Sequence, residues 1–181
     1  MPINNKNSMN LEMEKFDLKY YEANFKNGKC VREFDSYTDY YFEEELFYAV
    51  NRVPKDGDDF VCLKRWFYVE NLNLMLQCHY LREGRMEIGE KQGFDTEGNL
   101  IQIQDMDEGF PVTWDQVLTV LKSNDVPLER IIDICRYEDE DSSKKWAITL
   151  KAVENEMEII YVDAVNANLV GRMCFKARIK Q

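Results

Sequence analysis

The residues whose types and spacing come closest to a recognisable chemistry are Asp105, Asp107 and Glu108, in the stretch Asp105-Met106-Asp107-Glu108-Gly109. Two aspartates one residue apart, shortly before a glycine, are how a calcium loop begins. Such a loop needs oxygen ligands at positions 1, 3 and 5, glycine at 6 and a bidentate glutamate at 12. Counted from Asp105, position 5 is Gly109, position 6 is Phe110 and position 12 is Gln116. The pattern fails at its three decisive places, and no metal is expected here.

Other chemistries fare no better. The single histidine, His79, follows Cys78 directly. Adjacent side chains in a strand point to opposite faces, so the two make a poor nucleophile and base pair. No Cys-x-x-Cys spacing offers a zinc site. Gly84, Gly89, Gly93 and Gly98 are scattered through turn positions instead of preceding a helix as a phosphate loop requires. The 34 acidic residues offer many carboxylate pairs, but chain spacing does not say which of them approach. We therefore expect no catalytic residue, no cofactor and no enzyme.

What remains is charge. A net charge of -11 disfavours nucleic acid and anionic membrane as partners and favours a basic protein. Between Asp105 and Asp141 lie eleven acidic residues against Lys122, Arg130 and Arg136, whereas the chain after Asp163 has four basic residues and no acid. Two clusters are the candidate partner-binding residues: Asp105, Asp107 and Glu108 where a sheet passes into a helix, and Glu138, Asp139, Glu140 and Asp141 at a hairpin tip. Acidic runs also serve as solvated loops. Tyr37, Tyr40 and Tyr41 suit either the core or an interface anchor.

These residues need elements to hold them. At 181 residues, with 45% hydrophobic and 13% aromatic residues, the chain can fill one core, and no apolar run approaches the roughly 18 residues of a membrane helix. The polar N-terminus shows no secretory signal, which suggests a cytoplasmic protein. Five widely spaced cysteines, Cys30, Cys62, Cys78, Cys135 and Cys174, read as free buried thiols.

Asn27-Gly28 between apolar segments predicts a hairpin near residues 22 to 35, and the run from Thr38 to Val50 reads as strand. Residues 54 to 59, Pro-Lys-Asp-Gly-Asp-Asp, read as a loop. From Tyr68 and again from Phe94 the chain repeats a pattern of aromatic, turn, Asn, Leu and alternating apolar residues. The offset of 26 superposes Asn73 on Asn99 and sets Leu72 against Gly98. Units this short suit stacked hairpins. Thr113 and Gln116 form a capping box for a helix whose Trp114, Val117, Leu118 and Leu121 share one face, with Asn124, Asp125 and Pro127 ending it. Strands follow near residues 131–137, 146–153, 158–163 and 169–179. The fold class is α+β, a mostly antiparallel sheet with at least one covering helix. It divides into an arm (1–15), a hairpin-repeat region (16–104) and a helix-plus-sheet unit (105–181), the last two sharing one compact domain.

The hairpins of the form Tyr/Phe-x-x-x-Gly-Asn-Leu resemble the MORN-like repeats of bacterial antitoxin and immunity proteins. The segment from Trp146 to Met173 is similar to the end of a PepSY-type unit, although its turn, residues 163 to 168, lacks the usual glycine. The combination resembles small proteins found beside contact-delivered toxins, such as those of type VI secretion, especially in Bacteroidetes. The resemblance implies an immunity protein that binds a cognate toxin or effector and neutralises it by occlusion. The alternative that it implies is a PepSY-type peptide-binding or regulatory module with no toxin partner.

Overall fold

A computed structural model describes residues 14–57, 59–153 and 156–176. Within them the chain is a mostly antiparallel α+β protein built on two sheets. A short helix α1 (Leu18–Asn24) precedes a seven-stranded meander, β1 (Cys30–Glu33), β2 (Tyr37–Glu43), β3 (Phe47–Pro54), β4 (Val61–Tyr68), β5 (Leu74–Leu81), β6 (Glu87–Phe94) and β7 (Leu100–Asp105). Helix α2 (Trp114–Ser123) and a 3-10 turn lead into a four-stranded meander, β8 (Ile131–Glu138), β9 (Lys144–Val153), β10 (Glu156–Asp163) and β11 (Leu169–Lys176). Each strand pairs only with its neighbours in the chain.

Helix α1 departs from the expected hairpin. Asn27 and Gly28 do form a turn with positive φ, 53° and 76°, but the arm before it is helical. Asp17 caps that helix by accepting from the Tyr20 N–H at 3.0 Å, and seven residues are too few to display a helical period. The helix is held on the first sheet by a small aromatic core. Phe16 stacks on Tyr48 at 4.4 Å between ring centroids and meets Tyr41 and Phe67 at 5.7 and 5.6 Å.

The arm also ends earlier than composition suggests. Residues 1–13 lie outside the described residues, but Lys15 bridges Asn73, and the Leu74 N–H donates to the Glu14 carbonyl. Glu14 also reaches Arg65, one of two buried charges beside this core. The other, Asp39, receives two parallel bonds from Arg52, each 2.9 Å, and lies 3.5 Å from Arg65. Two such charges tolerate burial only because they are paired.

The 26-residue repeat has a geometric counterpart. Leu72 and Gly98, aligned by that offset, both take positive φ, 63° and 86°. Leucine holds a conformation that favours glycine, at a strain of about 1 kcal/mol. It also packs against the aromatic core, which offsets that strain. The two turns stack: the Tyr68 hydroxyl donates to the Phe94 carbonyl, and the Asn71 and Asn73 amides both donate to the Thr96 carbonyl. The copies are not identical, since Tyr68 closes the first turn on Asn73 and Asp95 closes the second on Asn99.

Helix α2 follows its sequence signals. Gln116 Oε1 accepts from the Thr113 N–H at 2.9 Å, and Asp125 turns the chain at φ 54° before Pro127. Its Trp114, Val117 and Leu121 enter a core with Trp146, Ile148, Leu150, Ile160 and Val162 of the second sheet. Phe60 and Leu81 join from the first, so one core binds both sheets.

Gly84, in the β5–β6 turn, is a point where the two sheets come close. It has φ +82°, and a Cβ there would strike the Ile134 carbonyl of β8. Gly84→Ala should therefore lower the melting temperature far more than Gly89→Ala. Gly89 has φ +64° but open space around it, so its substitution should cost about 1 kcal/mol. Equal losses in thermal melts would refute the close contact.

The cysteines correct one expectation. Cys30, Cys62 and Cys78 are buried, but Cys135 and Cys174 are exposed: Cys135 lies on the side of β8 opposite to the buried Ile134, and Cys174 lies near the end of edge strand β11. Burial pushes Cys62 from 9.0 to about 11 and Cys78 from 9.0 to about 12. In the unfolded chain both ionise near their ordinary value. Their contribution to stability is therefore complete below pH 9 and lost as pH rises toward 11 to 12. Melting temperature should decline more steeply above pH 9 in the parent than in a Cys62→Ala/Cys78→Ala variant; parallel declines would exclude this origin.

Candidate partner-binding surface

The joint from Asp105 to Phe110 is held from both sides. The Asp105 carboxylate accepts from the Asp107 N–H at 2.9 Å, and the Met106 N–H donates to the Gly89 carbonyl at 2.8 Å. Asp107 accepts from the Gly89 N–H at 3.0 Å and is ion-paired with Arg136 of β8. Arg136 also donates to the Met106 carbonyl and lies over two rings, 5.3 Å from Phe110 and 4.9 Å from Trp146. Asp107 is thus a structural partner of Arg136. Asp105 and Glu108 are exposed.

The second cluster behaves as the expected hairpin tip. Asp139 and Ser143 close the turn through backbone bonds. The Lys145 ammonium, with the Ser143 hydroxyl, holds the Asp139 carboxyl below the usual carboxylate range. Asp141 is lowered in the same direction because its carboxylate accepts from the Ser143 N–H at 2.9 Å. Glu138 and Glu140 face solvent, Glu138 having Lys144 4.0 Å away.

The two clusters, some thirty residues apart in the chain, meet around Lys144. Its ammonium is 4.0 Å from Glu138, lies against the Gly109 backbone, and sits 5.2 Å from the Phe110 ring. Lys144 thus links the two clusters; Asp105, Glu108, Glu138, Glu140 and Asp141 are exposed, while Asp107 and Asp139 are tied to Arg136 and Lys145.

Sequence reasoning missed what borders the second cluster. The inner face of the second sheet carries Ile134, Trp146, Ile148, Ile160 and Val162 into the core. By strand alternation and register, the outer face carries Tyr137, Ile159, Tyr161, Met173 and Phe175, interspersed with Asp133, Cys135, Lys145 and Thr149. No element covers it among the described residues, and Met173 and Tyr137 are 54% and 47% exposed. Tyr137 adjoins the tip, its hydroxyl hydrogen-bonding the Asp139 carboxylate, whose charge raises the Tyr137 pKa. The available signal was period-2 alternation in which both phases are apolar, as in Ile159-Ile160-Tyr161-Val162. Of the tyrosines proposed from sequence, Tyr41 is buried, Tyr37 is half-buried under Arg52 at 3.9 Å, and Tyr40 alone is exposed.

No family model matches the chain, and no curated protein or solved structure matches it. The likeness to MORN-like and PepSY-like immunity proteins therefore rests on the quoted residues alone.

Arg136 is the group on which the joint depends. Arg136→Ala should destabilise the protein by roughly 3 kcal/mol in urea unfolding, because it leaves Asp107 half-buried without its cation. Arg136→Lys should recover part of the loss but not the two ring contacts. An alanine variant as stable as the parent would contradict this role.

Proposed function

We propose that this chain acts by binding another protein, as an immunity protein that occludes a cognate toxin. The observation that carries the reading is the contiguity, through Tyr137, of an uncovered sheet face bearing exposed Met173 and Phe175 with the acidic β8–β9 tip. Interfaces are built in this way, with apolar and aromatic anchors supplying contact area inside a polar rim. Tyr137, Met173 and Phe175 would be the anchors, and Glu138, Glu140 and Asp141 the rim.

The net charge of -11 favours a basic partner, such as a cationic nuclease. Complementary charge accelerates encounter, while buried anchors govern dissociation. A cytoplasmic site of action accompanies this reading. The resemblance read from the quoted hairpin residues motivates it, and the exposed tip provides a surface on which contacts can change without disturbing the core.

The test pairs the protein with the product of the gene beside its own, which this reading expects to be a toxin. Co-expression should protect cells, and the complex should associate more slowly as salt rises. Replacing Glu138, Glu140 and Asp141 with lysine should lower the association rate by about tenfold or more at low salt. Met173→Ala with Phe175→Ala should instead accelerate dissociation. Failure of the parent protein to protect cells would remove the proposal.

A further inference from the structure

An open sheet ends in strands whose outer N–H and C=O groups form a row that another strand can pair with. The two sheets have four such edges: β1 and β7 in the first, β8 and β11 in the second. Three of them carry the usual guards. Strand β1 is four residues long and bears Arg32 and Glu33, β8 bears Asp133, Arg136 and Glu138, and β11 bears Arg172 and Lys176. Strand β7 differs. From Gly98 to Gln104 the chain reads Gly-Asn-Leu-Ile-Gln-Ile-Gln, with no charge and no proline, in a protein of which 31% is charged. Such segments favour strand pairing.

The structure leaves this edge open. All six positions of β7 are exposed, and Ile101, Ile103 and Leu100 are 66%, 55% and 48% exposed. Among the described residues only β6 pairs with β7, and no other backbone group bonds that of residues 100–104. A register shift across from Gly93 and Phe94 bends the start of the strand, while Gln102 to Asp105 run regularly along β6.

We propose that β7 is a self-association edge, on which two copies of this chain pair β7 to β7, antiparallel about a twofold axis near Gln102. Two features of the strand select a second copy as its occupant. In this register Ile101 of each copy comes against Ile103 of the other, so apolar side chains meet across the axis on both sides of it. Each Asp105 falls opposite Asn99 of the other copy, which keeps the two carboxylates apart. The second feature is charge. A chain of net charge -11 repels its own copy, and the uncharged stretch is where that repulsion is least. A basic partner finds no carboxylate between Gly98 and Gln104 and is drawn to the β8–β9 tip instead. Two strands of six residues bury less than the roughly 1,200 Å² of a stable interface, so the pair forms only at high concentration.

Sedimentation velocity on the full chain, from about 10 μM to about 1 mM, tests the edge. A dimer should appear within that range, and it should strengthen several-fold as added salt screens the repulsion, the reverse of the salt effect expected for a basic toxin. Ile101→Lys with Ile103→Lys should weaken dimerisation roughly tenfold or more and leave the melting temperature unchanged, since both side chains are exposed. Val165→Lys, at an exposed apolar position between β10 and β11, should leave the dimer intact. Amide hydrogen exchange should slow with concentration in β7 and not in β1, β8 or β11. A monomer at every concentration, a dimer undiminished by the two lysines, or protection at another edge would each overturn the proposal. No residue of β7 belongs to the β8–β9 tip or to the outer face of the second sheet, so toxin protection and self-association are read separately.

Discussion

The arrangement of this protein depends on one cation. Arg136 enters from β8, pairs with Asp107, bonds the Met106 carbonyl and lies over the Phe110 and Trp146 rings. Those contacts fix the segment by which the chain leaves the first sheet and enters helix α2. The start of α2 determines where Trp114 meets the shared core, and that core holds the second sheet against the first. Arginine suits the position because its planar guanidinium can hydrogen-bond in its plane while stacking on aromatic faces.

The same pairing sorts the acidic residues into two kinds. Asp107 and Asp139 are tied to Arg136 and Lys145 and serve the fold. Asp105, Glu108, Glu138, Glu140 and Asp141 form the outward field. Counting acids along the chain does not separate these kinds, because each depends on cations supplied by another strand. The calcium-like spacing at the joint is a case of this: Asp107 accepts its hydrogen bonds from protein groups.

Local signals in the sequence were legible where the chemistry was local. The capping box of α2, the Asn27-Gly28 turn and the helix end before Pro127 all follow from neighbouring residues. Helix α1 was hidden because its stability comes from an aromatic core made with distant strands, as Phe16 against Tyr48 shows. The uncovered outer face of the second sheet was hidden for another reason. Residues 159–162 are apolar in both strand phases, and sequence alone does not say that only one phase receives a covering layer. The exposure of Cys135 likewise follows from that uncovered face, and that of Cys174 from its place near the end of edge strand β11.

In the first sheet, spatial order and chain order coincide through all seven strands. Every pairing closes a short loop, so the sheet can zip up hairpin by hairpin without a distant segment having to arrive first. The same property makes the number of hairpins adjustable. A duplicated unit can extend the ladder and a deleted one can shorten it, with no strand rethreaded. Leu72, strained in the geometry that Gly98 takes with ease, is how such a history can remain readable in backbone shape after the side chain has changed.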